Sequence, residues 1–375
     1  MSRCCFPWDR PNFTHSRAIL GIRQQPRDQK EPHRRTHVKH VDDPAKKSLP
    51  LNPPGELCVY HQIVLPASRS EMKTQLALEL DADHQQHGSN VRRAAQPFNS
   101  QLLKWIGNKQ RVAKEIISFF PEHFGTYYEP FLGSGGVLGV LAPSKAEASD
   151  AFGPLVEIWQ TLKDDPACLK DWYSARWHAF KKKGKHKVQA YEEIKASYNE
   201  NPNGADLLFL CRSCYGGVVR FRKHDGYMST PCGAHDPIQP NSFAERVDEW
   251  HARVQGTNFR QLDYGVAMSL ARRGDLIYCD PPYSFSQAIL YKAQEFAVAD
   301  LMEMIAKVKS RGIYVALSID GSKKSGNMLC DVPIPRGLFE REIAIRVGRS
   351  MLKRFQMEGK SLEAEVVTDR LLLTY

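Results

Sequence analysis

The hydrophobic and polar positions of the chain change rhythm along its length, and from about residue 100 onward they predict alternating strands and helices. Uninterrupted apolar runs such as 275–279 and 312–317 are typical of strands buried on both faces of a sheet. Between such runs, apolar residues recur every three or four positions, as they do in 301–310, which is the spacing of an amphipathic helix. This alternation predicts a doubly wound α/β sheet.

The predicted elements follow one another closely in this part of the chain. Helices are predicted at 109–120, 137–141, 152–162, 266–272 and 301–310, and the first of them is expected to be capped by Asn108. Strands are predicted at 126–131, 145–150, 259–263, 275–279 and 312–320, and a hairpin of 339–345 and 365–375 is expected to close the sheet.

Two regions interrupt this alternation and set the predicted domain boundaries. Residues 1–98 are rich in Pro, His, Arg and Gln, which predicts a disordered arm; a basic arm that contacts phosphates, or a true start at Met72, are the alternatives. Residues 165–261 are rich in Lys, Arg, Trp and Tyr and predict an inserted, mainly helical domain. The sheet domain would then consist of residues 99–164 and 262–375.

The composition favours an anionic partner. The 375 residues carry a formal net charge of +10, with a pI of about 9.1, which suits nucleic acid without proving it. Nine cysteines are scattered without a disulfide-like pattern, and no apolar stretch approaches the ~20 residues of a membrane span. We therefore expect a cytoplasmic protein in a reducing compartment, with no membrane contact.

A glycine-rich turn between a predicted strand and a predicted helix points to an adenosyl ligand. The turn is Leu132-Gly133-Ser134-Gly135-Gly136, and its glycines let the backbone approach a ligand closely. The spacing is neither that of a dinucleotide site nor that of a phosphate-binding P-loop, which argues against NAD and ATP. Asp150, at the end of the next strand, suits ribose hydroxyls or, equally, a helix N-cap.

The second chemical feature is Asp280-Pro281-Pro282-Tyr283, directly after a predicted buried strand. Two consecutive prolines cannot donate to a sheet ladder and hold the turn stiffly. A carboxylate, a backbone carbonyl and an aromatic ring would thus be fixed at the carboxyl end of a strand, where open α/β sheets bind ligands. As an isolated tetrapeptide, the same sequence equally well predicts a turn that merely ends the strand.

The predicted insertion carries the candidate nucleic-acid contacts. Basic and aromatic side chains are interleaved in 176–187, and a second group comprises Arg212, Tyr215, Arg220, Arg222 and Lys223. The alternative for such a region is a solvated charged face. The spacing of Cys211, Cys214, Cys232 and His235 could serve zinc, but adenosyl chemistry does not need a metal, and we predict none.

Taken together and in order, these motifs resemble the DNA adenine-N6 methyltransferase family, the α class of amino-methyltransferases. The resemblance covers about residues 102–375 and rests on Lys104-Trp105-Ile106-Gly107-Asn108-Lys109, 129–136, Asp150 and Asp280-Pro281-Pro282-Tyr283. In that class the target-recognition domain lies between the glycine loop and D-P-P-Y, where this chain has its basic insertion. Residues 316–320 are Ala-Leu-Ser-Ile-Asp and depart from the Ser-Asn sequence of better-known members of the family. This departure leaves the subfamily, and with it the recognition sequence, open.

The resemblance implies a Rossmann-like, S-adenosylmethionine-dependent enzyme that acts site-specifically on duplex DNA. It implies that the cofactor is held by Trp105, Lys109, Glu129, Phe131, Gly133, Gly135, Asp150 and Asp280. It further implies that Asp280 and Pro281 hold the target amine, with Pro282 in the same turn, and that Tyr283 stacks on a flipped base. A monomer encoded by a bacterium or phage is expected, with a cognate restriction endonuclease as a possible partner.

The chemistry of an exocyclic amine fits these residues. Adenine N6 is a poor nucleophile, and two acceptors, the Asp280 carboxylate and the Pro281 carbonyl, would hold its two protons and aim its lone pair. No covalent intermediate is needed, so Cys279 is predicted to be a buried strand residue. The base must leave the duplex to react. A cytosine-N4 or RNA amine methyltransferase, and a non-catalytic nucleic-acid-binding protein, are the alternatives.

Overall fold

The computed structural model describes residues 90–91, 98–182, 186–222, 224–282, 297–323, 328–329, 332–348 and 367–375. Of two compact units, Met1–Ile63 and Val64–Tyr375, the second contains all of these residues. The predicted disordered arm, 1–98, therefore lies outside the described residues except at 90–91 and Phe98.

The described elements are short strands and helices that alternate on either side of a helical segment. In chain order they are β1 Asn90–Val91, α1 Ala113–Ser118, β2 His123–Phe124, β3 Tyr127–Glu129, α2 Gly136–Leu141, β4 Ala146–Asp150, α3 Gly153–Asp164, α4 Pro166–Phe180, α5 Lys187–Glu200, α6 Gly204–Ser213, α7 Pro240–Arg253, β5 Thr257–Gln261, α8 Tyr264–Leu270, β6 Leu276–Cys279, α9 Val298–Ser310, β7 Tyr314–Lys323, β8 Met328–Leu329, β9 Arg341–Gly348 and β10 Val367–Leu373. The predicted strands are confirmed within a few residues. The helix predicted after Asn108 begins later, at Ala113, because the Asn108 side chain instead accepts from the nearby Gln110 N–H in a turn.

Strands β3 to β10 form one sheet in the order β5-β4-β3-β6-β7-β10-β9, with β8 paired to β7. Strands β5, β4, β3, β6 and β7 are parallel, whereas β10 lies antiparallel between β7 and β9. The chain winds outward from β3 to β5 and then returns to β6 on the other side of β3. The predicted doubly wound α/β fold is confirmed, and its topological switch point lies between β3 and β6.

Hydrophobic clusters cover both faces of the sheet. Successive residues of a strand point to opposite faces, so a single strand can contribute side chains to both clusters. On β6, Leu276 and Tyr278 join the hydrophobic cluster on one face, and Ile277 and Cys279 join the cluster on the other. Strands covered on both faces explain why the sequence shows continuous apolar runs rather than alternation.

Helices α4 to α7 make up most of the predicted insertion, and they share the hydrophobic cluster of one sheet face. Tyr173 of α4 stacks on Phe243 of α7, with ring centroids 4.0 Å apart, and Trp250 of α7 meets Trp159 of α3 at 5.3 Å. The insertion is therefore packed onto the sheet through a continuous apolar contact.

Packing contacts begin upstream of the first motif, Lys104-Trp105-Ile106-Gly107-Asn108-Lys109. Phe98 is buried, with its ring 5.1 Å from Trp250 and beneath the Arg253 guanidinium at 3.9 Å. The short strand β1 pairs antiparallel with β2. The polypeptide just upstream of residue 102 is thus attached to α7 and belongs to the same packed body.

Candidate active site at the switch point of the sheet

Three acidic side chains lie at the carboxyl ends of neighbouring strands. Glu129 ends β3, Asp150 ends β4, and Asp280 follows β6. Because these strands are parallel and adjacent, their carboxyl ends meet at one edge of the sheet. The predicted cofactor and amine residues are therefore brought to one place by the topology alone.

The glycine loop between β3 and α2 needs backbone conformations that favour glycine. Gly133 has φ +49° and Gly135 has φ +60°, both in the left-handed region. A Cβ at Gly135 would lie 2.9 Å from Cη2 of Trp159, so a side chain there would meet a buried ring. The Trp159 indole N–H donates to the Gly133 carbonyl at 3.1 Å and fixes the loop from below.

Trp105 and Phe131 supply apolar surface on either side of this loop. A Cβ at Gly133 would lie 3.3 Å from Cδ1 of Trp105, so the indole ring sits directly against the loop backbone. Trp105 also stacks on Phe152, with centroids 6.2 Å apart and an interplanar angle of 29°. Phe131 stacks on Tyr264 at 5.1 Å. Flat rings beside a glycine backbone suit a planar, uncharged ligand such as adenine.

Asp150 ties the glycine loop to the following helix. One carboxylate oxygen accepts the Gly133 N–H and the other accepts the Phe152 N–H, each at 3.0 Å. Burial raises the pKa of Asp150, and these donors oppose the effect. Helix α3 begins at Gly153 with Phe152 as its N-cap, so Asp150 is not the helix cap. Each oxygen keeps a further lone pair, which leaves the carboxylate able to accept from a ligand hydroxyl.

An ion pair joins the first and last predicted motifs. The Lys109 ammonium donates to both oxygens of Asp280, at 2.7 and 2.9 Å, and to the Gly107 carbonyl at 3.3 Å. Its distance to a carboxylate oxygen of Asp369, on β10, is 3.7 Å. Burial works to lower the pKa of Lys109, but the two carboxylates outweigh it and raise that pKa. Residues 171 positions apart in sequence thus share one charge centre.

Sequence reasoning did not find Asp369. It interrupts the apolar residues of the last strand and is 5 % exposed. A charged residue inside such a strand is costly to bury without a partner, and that is the feature by which it could have been found.

Glu129 is buried beside this centre. The Tyr127 hydroxyl donates to its Oε2 at 2.7 Å. Burial, reinforced by the nearby Asp280 charge, raises the pKa of Glu129 to about 8, although the Tyr127 hydroxyl and the Leu138 N–H oppose the shift. The carboxyl group is therefore mostly protonated at neutral pH.

The D-P-P-Y turn is described as far as its prolines. Asp280 is partly exposed, Pro281 is buried and Pro282 is partly exposed. Tyr283 and Lys223 lie outside the described residues, so their predicted roles stay predictions. Burial raises the pKa of the adjacent Cys279, which makes it a poor nucleophile.

Arg212 is an interior residue, contrary to what its place in a basic stretch suggests. It is 5 % exposed, and its guanidinium donates to the carbonyls of Gln101 at 3.0 Å and Leu102 at 2.8 Å. Burial lowers its pKa. Its partners are backbone groups just ahead of Trp105, so Arg212 anchors the first motif to the insertion rather than facing a phosphate.

Three of the other candidate contacts lie on a hairpin that follows α6. Phe221 pairs with Met228, and Cys214 pairs with Cys232 at the hairpin base. Tyr215, Arg220 and Arg222 are exposed on it; side-chain partners of Arg222 are the Asp225 carboxylate, at 2.6 Å, and the Tyr227 ring, at 4.1 Å. Arg176 and Lys181 of the basic run 176–187 are likewise paired, with Asp206 and Asp236, each at 2.6 Å.

The four residues with zinc-like spacing do not form a metal site here. Cys211 and Cys214 are buried, and burial raises the pKa of Cys214 to about 12. Among the described residues, no group of three or more His, Cys, Asp or Glu side chains is arranged to hold a metal ion. The helices in the same part of the chain include none that is long and apolar enough to cross a membrane.

Comparison with known proteins gives a consistent picture. The model of the D12 class N6 adenine-specific DNA methyltransferase family matches residues 105–340. A type II methyltransferase of Lactococcus lactis subsp. cremoris is 24% identical over 250 residues, covering 62% of this chain and 85% of the relative. A DNA adenine methylase of Vibrio cholerae serotype O1 is 26% identical over 232 residues, covering 58% and 80%.

Solved structures add little to this comparison. The rRNA methyltransferase aviRa from Streptomyces viridochromogenes has a TM-score of 0.29 and 11% identity, over 71% of this chain and 84% of that one. A superposition of that quality carries no argument about fold or substrate.

Proposed function

The chain belongs to the D12 class of N6 adenine-specific DNA methyltransferases, and from this premise we propose that it methylates a flipped-out adenine with S-adenosylmethionine as donor. The observation that carries the proposal is the meeting of Lys109 and Asp280 beside the glycine loop. This contact joins the glycine loop, around which the cofactor residues lie, to the D-P-P-Y turn. The family resemblance assigns that turn to the target amine.

The residues around the glycine loop fit S-adenosylmethionine. Backbone at Gly133 and Gly135 comes against the rings of Trp105 and Trp159 so closely that a Cβ would collide or crowd them. We assign Trp105 and Phe131 to the adenine side, Asp150 to the ribose hydroxyls, and Glu129 with Lys109 to the methionine side. When bound, the cofactor supplies an electrophilic methyl group on a sulfonium sulfur.

Asp280 and Pro281 would hold the target amine. The Asp280 carboxylate accepts one N6 proton and the Pro281 carbonyl accepts the other, which directs the nitrogen lone pair out of the base plane as the nitrogen becomes tetrahedral. Lys109 holds the Asp280 carboxylate in place, because its ammonium donates to both oxygens, at 2.7 and 2.9 Å. Pro281 and Pro282 hold the two acceptors rigidly, since neither residue has a free φ.

We assign recognition of duplex DNA to the hairpin and the Tyr283 ring. Arg220, Arg222 and Lys223 would contact phosphates or base edges, and Tyr215 offers an exposed ring. Tyr283 would stack on the extruded base, which by analogy with single-strand stacking contributes about 1–3 kcal/mol. Arg212 is left out of this interface because of its burial.

We further propose that the protein acts as a cytoplasmic monomer. A cognate restriction endonuclease is a possible partner, since one relative is named a type II methyltransferase.

The product of the reaction tests the proposal. The purified chain is incubated with methyl-labelled S-adenosylmethionine and either duplex DNA or RNA, and the nucleosides are separated after digestion. Label is expected in N6-methyladenine from duplex DNA. Label in N4-methylcytosine or in RNA would overturn the substrate assignment, and no label at all would favour a binding protein on this fold. Sequencing modified bases in host DNA then gives the recognition site.

A further inference from the structure

The last strand of the sheet contributes a buried carboxylate to the charge centre. Asp369 lies on β10, which runs antiparallel between β7 and β9, and its carboxylate is 3.7 Å from the Lys109 ammonium. Lys109 is itself 7 % exposed and bound to Asp280 at 2.7 Å. The ammonium is therefore shared by two carboxylates, one directly after β6 and one on β10.

The charges of these three groups do not cancel. Lys109 carries +1 and the two aspartates together carry −2, so the trio has a net charge of −1. Without Asp369, Lys109 would neutralise Asp280 completely. Asp320, which faces Asp369 across the β7–β10 ladder and is also buried, adds a further carboxyl group on the same side of the sheet.

A net negative charge is what methyl transfer at this place requires. The N6 lone pair forms the new C–N bond, and the S–CH₃ bond breaks with its electron pair left on sulfur. The sulfonium thereby becomes a neutral thioether, while N6 becomes cationic and afterwards loses a proton to water. Positive charge is present throughout at the sulfur or the nitrogen, and an uncompensated ammonium nearby would oppose it.

We propose that Asp369 is a positioning residue that offsets the charge of Lys109, so that Asp280 presents its own negative charge to the sulfonium and the amine. The proposal rests on the assignment of Asp280 to the amine. Lys109 then holds Asp280 in place without neutralising the site.

The test compares a charged with an uncharged ligand, because a merely structural role would affect both alike. Dissociation constants for S-adenosylmethionine and for the neutral S-adenosylhomocysteine are measured by calorimetry on the full chain. The variants are Asp369→Asn, Asp369→Glu, Lys109→Gln and the double variant Lys109→Gln with Asp369→Asn. Glu342→Gln is the matched control, since it removes a carboxylate paired at 2.7 Å with Arg370, the neighbour of Asp369.

Asp369→Asn is expected to lower the preference for S-adenosylmethionine over S-adenosylhomocysteine by about tenfold, and the single-turnover rate of DNA methylation by a similar factor. Asp369→Glu and the control Glu342→Gln should keep both the ligand preference and the single-turnover rate. Lys109→Gln should raise the preference, and the double variant, whose remaining Asp280 again gives −1, should restore it.

The double variant also separates charge from the loss of a contact, because it lacks the contact between Lys109 and Asp369 and yet restores the net charge of −1. The proposal would be overturned if Asp369→Asn weakened the binding of S-adenosylmethionine and of S-adenosylhomocysteine equally. It would also be overturned if the double variant lost as much preference for S-adenosylmethionine as Asp369→Asn does. The assignment of Asp280 fails separately, if Asp280→Asn retains methylation whatever the ligand preferences show.

Discussion

We expect Glu129 to couple cofactor binding to pH. With a pKa of about 8, raised by burial, it is mostly protonated at pH 7, and it must lose its proton to pair with the cationic amino group of the methionine portion. Affinity for S-adenosylmethionine should therefore rise as pH increases toward 8, by up to about tenfold per unit well below the pKa, and then level off. Calorimetry at pH 6, 7 and 8 measures it, with Glu129→Gln as a pH-independent control.

The sign of the stability effect is the opposite. Between the ordinary pKa of 4.5 and the folded value of about 8, the native state holds a proton that the unfolded chain has released. Stability contributed by the protonated group is thus lost as pH rises through this window. A wild-type affinity without pH dependence, or the same dependence in Glu129→Gln, would contradict the role of Glu129.

The role of a single residue was predictable where a sequence motif specified it. It was not predictable where the role depends on whether the fold buries that residue. Lys109 and Asp280 were each assigned from sequence, and the structure brings them together. Arg212 has the same residue type as Arg220, and only the fold distinguishes an interior anchor from an exposed side chain. Asp369 belongs to no motif, because its importance depends on a strand inserted between β7 and β9.

At the scale of elements, the hairpin after α6 should carry DNA affinity. Arg220→Ala is expected to weaken binding to duplex DNA and to reduce the salt dependence of log K by about one. Cofactor affinity should stay unchanged, because Arg220 is on the exposed hairpin. Lys170→Ala, which removes a partly exposed charge paired with Asp248 on the α4–α7 side, is the control. Fluorescence anisotropy at several salt concentrations measures both; equal slopes for the two variants would contradict the hairpin assignment.

Arg212 should behave as part of the fold. Arg212→Met leaves the Gln101 and Leu102 carbonyls without this donor and is expected to cost about 2–4 kcal/mol of unfolding free energy. Arg246→Met is the comparison, because Arg246 donates to the Gln101 carbonyl at 3.0 Å and is partly exposed, so its loss should cost less. Urea unfolding gives both values. A stable Arg212→Met protein with weakened DNA binding would reverse the assignment.

Elements were predicted well where one period dominated the sequence. Continuous apolar runs specified β6 and β7, since strands covered on both faces need no polar side. The start of α1 was missed because Asn108 had a local alternative partner, the Gln110 N–H. The packing of α4 to α7 onto the sheet was not predictable either, because a shared apolar cluster is a long-range property.

At the scale of the whole molecule, the upstream boundary of the enzyme can be measured. Removing residues 1–89 should leave methylation intact, because that part of the sequence lacks periodic apolar positions. Removing 1–98 also deletes Phe98, whose ring lies between Trp250 and Arg253, and should cost about 2–4 kcal/mol of stability. Thermal unfolding and methylation assays compare the two truncations. Loss of methylation activity after removal of residues 1–89 would show that the N-terminal arm takes part in the reaction.

The order of motifs along the chain was enough to predict a doubly wound α/β sheet. The structure places Glu129 and Asp280 on either side of the switch point between β3 and β6, with Asp150 at the end of the neighbouring strand β4. What the order could not specify is how the C-terminal hairpin enters the sheet, and therefore which of its residues reaches the centre.

The central claim is that the Asp280 carboxylate holds the target amine, and the single-turnover rate of methyl transfer by Asp280→Asn tests it most directly. Saturating S-adenosylmethionine and duplex DNA remove binding from the measurement. The expected result is a loss of about 10³-fold or more in rate, with DNA affinity within about threefold of wild type. A rate within about tenfold of wild type would contradict the account.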